Sequence, residues 1–152
     1  MKHKLLALFC IIALLLTGCG ANTEQVLVFQ NELNSVILRI EGIHEDLEAL
    51  DVSSKDASAQ ALEYLSDLKD AFDELASIDV KDEDYAFITD LAIEGSQYME
   101  QANKLFEEAF TAERYDKETA SLAYQYLERA SKRINVIVTM LHGEVPDDVI
   151  VH

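Results

Sequence analysis

Between Asn22 and Leu50 the apolar residues Val26, Phe29, Leu33, Val36, Ile40, Ile43, Leu47 and Leu50 recur at alternating steps of three and four. Every position of that heptad register is apolar, which predicts a helix with a narrow buried seam. Asn22 suits the N-cap, and Gln25 stands three residues on, as in a capping box. Gly42 falls off the seam, where it weakens the helix but buries nothing.

Asp51-Val52-Ser53-Ser54 interrupts the pattern, and either serine is suited to cap the next helix. That helix is expected to run to about Ser77, with Ala61, Leu65, Leu68, Phe72 and Leu75 on its seam and Ala57, Tyr64 and Ala71 beside it. A second break, Ile78 to Asp82, precedes a third helix capped by Asp82. Its apolar residues fall in two registers: Tyr85, Ile88, Ala92, Gly95, Met99, Ala102, Phe106 and Ala109, then Leu91, Tyr98 and Leu105. The third helix should therefore bury a broader face than the first. After a break at Arg114-Tyr115-Asp116, a fourth helix carries Ala123, Tyr126, Leu127, Ala130, Ile134, Ile137, Val138 and Leu141. Gly143 as the residue past the helix end, followed by Pro146, is a stop signal.

Four long amphipathic segments joined by short breaks predict an all-α fold, an up-down-up-down four-helix bundle over residues 22–143 with a tail at 144–152. The competing arrangement is a three-helix bundle from which the first helix leans out as a stalk. The unbroken seam on that helix argues against it unless another chain covers the seam. Small residues recur every seven positions on two helices: Gly95, Ala102 and Ala109, and Ala123 and Ala130. Folding that hairpin about Asp116 sets Ala109 opposite Ala123, Ala102 opposite Ala130 and Gly95 opposite Ile137. The last two helices should then form the closest pair.

The N-terminal stretch is of another kind. Lys2 and Lys4 precede a charge-free apolar run, Leu5 to Leu16, and the run ends in Leu16-Thr17-Gly18-Cys19. These residues resemble the signal peptide and lipobox of bacterial lipoproteins. The resemblance implies cleavage between Gly18 and Cys19, loss of residues 1–18 and acylation of Cys19. It further implies a protein anchored to the cell membrane by lipid and facing outside the cytoplasm, with residues 19–21 as a short tether. A retained membrane span is disfavoured: the fourteen residues from Leu5 to Gly18 make ~21 Å of helix against ~30 Å of hydrocarbon. Cys10 leaves with the signal peptide, so the mature domain has no disulfide and must be held by its core.

The whole chain has 12 Lys plus Arg against 29 Asp plus Glu, a formal net charge of −17. The expected signal peptide removes two lysines and no acid, so the mature chain stands at −19. Nucleic acid is excluded as a partner, because neutralising phosphates needs a basic face. A protein partner, or basic cell-wall material, is compatible with this charge.

Candidate chemistry is sparse. Glu41-Gly42-Ile43-His44 has the Glu-x-x-His spacing of metal-binding bundles, but no second copy exists and the pair falls off the seam, so it reads as solvated. Nothing in the chain assembles a nucleophilic triad, a phosphate loop or a haem attachment motif. No catalytic residue, enzyme activity or cofactor is therefore expected. Asp79, Asp82, Glu83 and Asp84 gather at the expected membrane end as weak divalent-cation candidates, without EF-hand spacing. Tyr64, Gly95, Tyr98 and Tyr126 lie on or beside seams and are candidates for lining a small apolar ligand pocket. Two function classes follow: an acidic extracytoplasmic interaction module, favoured because no seam demands polar specificity, or a lipoprotein that binds a small ligand or cation.

Overall fold

In the computed structural model, which describes residues 23–51, 53–78 and 85–141, the apolar seams become four helices. They are α1 (Thr23–Glu48), α2 (Ala57–Ser77), α3 (Ala86–Thr111) and α4 (Lys117–Leu141). The fold is an all-α four-helix bundle. One hydrophobic cluster takes residues from every helix, including Phe29, Leu33, Val36, Ile37 and Ile40 of α1. With the middle of its seam inside that cluster, α1 is a member of the bundle and not a stalk.

Seam residues become core residues because each helix turns one stripe inward. The match is closest on α3, whose buried residues Ile88, Ala92, Gly95, Met99, Ala102, Phe106 and Ala109 follow the first of the two registers. Leu91, Tyr98 and Leu105 of the second register are partly buried against the same core. On α1 burial fades toward the C-terminal end: Ile40 is buried, whereas Ile43 and Leu47 are half-buried. Gly42 is exposed, and nothing lies within 4 Å of where its Cβ would be. Among the described residues the core contains no buried polar or charged side chain.

The start of α2 departs from the serine cap. The Asp51 carboxylate accepts hydrogen bonds from the Ser53 N–H at 3.0 Å and the Ser53 hydroxyl at 2.6 Å. The Ser54 hydroxyl in turn accepts from the Asp56 N–H at 3.3 Å. Both serines are thus engaged in the turn itself, the competition that short polar side chains offer to helix. The helix begins only at Ala57, after Asp56, which makes no side-chain cap. Asn22, Asp82, Gly143 and Pro146, the other expected helix signals, lie outside the described residues.

At α4 the cap is complete. One Asp116 carboxylate oxygen accepts from the Glu118 N–H at 3.0 Å and the Thr119 N–H at 3.1 Å, and the other accepts from the Thr119 hydroxyl at 2.8 Å. These bonds satisfy N–H groups that have no partner within the helix. They also hold the Asp116 carboxyl below its usual range, the Thr119 hydroxyl contributing most.

Consecutive helices pack antiparallel, and α3 with α4 forms the most extensive close pair. The expectation of a close pair rested on small residues, and Ala102, Ala109, Ala123 and Ala130 are all fully buried. Its register needs correction by one helical turn. The connection between Thr111 and Lys117 centres on Arg114, two residues before Asp116, and the Asp116 N–H donates back to the Ala109 carbonyl at 3.2 Å. Shifting the pivot by two residues shifts the pairing by four. Gly95 consequently faces Arg133, whose Cβ is 3.5 Å from the glycine's missing Cβ, and not Ile137. The room at Gly95 is taken by the Phe72 ring of α2, whose Cε1 is 3.3 Å from where that Cβ would be.

Candidate functional site

With the interior apolar, the polar chemistry lies on the surface, and one cluster joins α3 to α4. The Tyr98 and Tyr126 rings are 6.3 Å apart, tilted by 38°. Arg129 lies over both, its guanidinium carbon 5.9 Å from the Tyr98 centroid and 5.4 Å from that of Tyr126. Arg133 lies over Tyr98 at 5.5 Å, and its Nε donates to the Glu94 carboxylate at 2.6 Å. The arrangement follows from helix geometry. Arg129 and Arg133 are three and seven residues beyond Tyr126, so all three share one flank of α4. The one-turn shift in pairing brings that flank beside Tyr98. Each cation–π contact at such an exposed site is worth ~0.5–1 kcal/mol.

Of the expected pocket residues, the fold brings together Tyr98 and Tyr126, whereas Tyr64 on α2 makes no aromatic pair with either among the described residues. Gly95 lies one helical turn before Tyr98, but its space is filled from α2 by Phe72. The tyrosines therefore border an arginine stack on the surface. Arg129 and Arg133 belong to this cluster although no motif singled them out. Their common flank with Tyr126 is visible in the sequence; their contact with Tyr98 depends on the register between two helices.

A second aromatic series reinforces the α3–α4 turn. Tyr124 meets Phe106 edge-on at 4.8 Å, Phe106 stacks with Phe110 at 6.2 Å, and Phe110 meets Tyr115 at 5.5 Å. Tyr115 and Tyr124 remain more than half exposed.

No protein-family model, no curated protein and no solved structure matches this chain.

Several other charged groups form pairs across or along helices. Arg39 bridges α1 to Glu74 of α2 at 2.6 Å, and Lys132 holds Glu128 at 2.9 Å. Asp73 receives Lys69 at 2.7 Å and the Ser96 hydroxyl of α3 at 2.5 Å. Partial burial pushes the Asp73 carboxyl up, but the hydrogen bonds from Lys69 and Ser96, helped by the lysine charge, outweigh it and hold the group low. Exposed pairs of this kind contribute only tenths of a kcal/mol to about 1 kcal/mol each. In the Glu-x-x-His segment, His44 is exposed and lies 3.4 Å from Glu48, one turn on. Glu41 is half-buried, and its carboxyl is raised by that burial and by the nearby Glu45 charge.

Among the described residues no group of three or more His, Cys, Asp or Glu is placed to hold a metal ion, and no helix is long and apolar enough to cross a membrane. Gly18 and Cys19, with the cation candidates Asp79, Asp82, Glu83 and Asp84, lie outside the described residues.

Proposed function

We propose that this chain is a lipoprotein anchored by acylated Cys19 on the outer side of the cell membrane, where its acidic bundle works as an interaction module. The observation that carries the reading is Leu16-Thr17-Gly18-Cys19 at the end of a charge-free run preceded by lysines. A domain held by an apolar core with its polar groups outside is suited to recognition by surface contact. Two or three acyl chains on one cysteine would anchor it durably, since each buried CH₂ contributes ~0.8 kcal/mol. The short tether keeps the bundle near the lipid, and the surplus of acids favours a basic partner. The ligand-pocket alternative is less supported, because Phe72 occupies the space at Gly95.

Chemical crosslinking in intact cells tests the module. An adduct to an extracytoplasmic protein or to wall material, lost in Cys19→Ser, is the predicted result. A protein recovered in the cytosol, with adducts only to cytosolic proteins, would contradict it.

A further inference from the structure

The chain contains more than two acids for every base, so a cation in a helix is expected to find a carboxylate. Arg39, Lys69, Lys132 and Arg133 each do. Lys104 has Glu100, Glu107 and Glu108 within one turn. Arg129 differs. Its neighbours three and four residues away on α4 are Gln125, Tyr126, Lys132 and Arg133, without an acid among them. Glu94 across the groove is engaged by Arg133, and Glu128 by Lys132. Among the described residues no carboxylate lies in salt-bridge range of Arg129, which is exposed over the Tyr98 and Tyr126 rings.

We infer that Arg129, held over Tyr98 and Tyr126, is a docking site for one carboxylate side chain of an otherwise basic partner protein. The inference rests on the reading of the chain as an interaction module. A guanidinium is a planar fork of donors that matches a carboxylate two bonds at a time, and ring contacts restrain it beforehand, so less side-chain freedom is lost on binding. The surroundings select the partner. A long polyanion, whether acidic peptide or phosphate polymer, would meet the field of a chain with net charge −17 and be repelled. A single acid set among bases avoids that repulsion: it meets Arg129 while its flanking bases meet the surrounding glutamates and aspartates. The acid supplies register, and the bases supply attraction at longer range.

The test uses the full-length protein in detergent micelles and two fluorescent lysine-rich decapeptides, one with a central glutamate and one with glutamine in its place. Fluorescence anisotropy at low salt should show the glutamate peptide binding roughly fivefold tighter, the range of a well-formed exposed bidentate pair. Arg129→Ala should abolish that preference and, through loss of its two ring contacts, lower the melting midpoint by only a few degrees, leaving the protein folded at the assay temperature. Arg129→Lys should retain less than half of the preference. Oligoglutamate and polyphosphate should compete poorly with the glutamate peptide. Equal binding of the two peptides, or a preference that survives Arg129→Ala, overturns the site and leaves the module reading standing. Polyphosphate competing better than the glutamate peptide overturns the carboxylate assignment. If neither peptide binds, the site and the basic-partner reading fall together.

Discussion

The ring of Phe72 fills the space that Gly95 leaves by having no side chain: a Cβ on Gly95 would fall 3.3 Å from Cε1 and 3.4 Å from Cδ1 of Phe72. The glycine thus works in packing, letting the buried phenylalanine of α2 seat against the α3 backbone. Replacing it with alanine should gain ~1 kcal/mol of helix propensity and lose a similar amount in moving the ring by a few tenths of an ångström, for little net change. Gly95→Leu should lower stability by about 1–3 kcal/mol through overpacking. A urea double-mutant cycle locates the cause: Phe72→Leu should couple to Gly95→Leu, whereas Ile137→Ala should be additive with it.

The α3–α4 contact gives a second prediction. Ala102 is fully buried, so Ala102→Leu should cost about 1–3 kcal/mol in urea unfolding. With the hairpin pivoting on Arg114, Ala102 falls level with Tyr126 and Ala130 with Tyr98. The large substitution should therefore disturb the NMR signals of Tyr126 more than those of residues near Ala130.

The cap of α4 should appear in the acid limb of stability. Hydrogen bonds from Thr119 and Glu118 hold Asp116 below its unfolded value. A lowered carboxyl stabilises the fold above the ordinary carboxylate range, and that contribution is lost as pH falls through the lowered value. Asp116→Ala should reduce the melting midpoint by a few degrees near neutral pH. The gap between variant and parent should narrow on acidification. A constant gap down to strong acid would exclude the charged cap as its cause.

Asp73 offers an independent titration. Its carboxyl is raised by partial burial and lowered more strongly by Lys69 and Ser96. Removing the Ser96 hydroxyl, 2.5 Å away, should move the carboxyl upward in an NMR titration, and Lys69→Met should do so as well. In both variants, the stability that Asp73 contributes should be lost at a higher pH than in the parent.

The helices were legible where one spacing rule dominated. On α3 the series from Ile88 to Ala109 keeps its heptad step, and those residues are the buried ones. At the ends, short-range hydrogen bonding decided the outcome. Ser53 and Ser54 have the chemistry of caps, but Asp51 and the Asp56 N–H engage them before the helix can. The inter-helix register was less legible, because residues 112–116 do not declare where the turn is centred. A two-residue difference in that pivot moved Gly95 from Ile137 to Arg133 and left its space to a ring from another helix. The arginine–tyrosine cluster depended on the same register. Its members were visible one by one, but not their meeting.

If Cys19 carries lipid, as proposed, the lipid places the acidic bundle and decides which partners it can meet. Metabolic labelling with radioactive palmitate tests that proposal most directly, comparing the wild type with Cys19→Ser. Label is expected in the wild type alone, with the variant accumulating as uncleaved precursor or released from the membrane. Equal labelling of the two forms, or none in either, would contradict it.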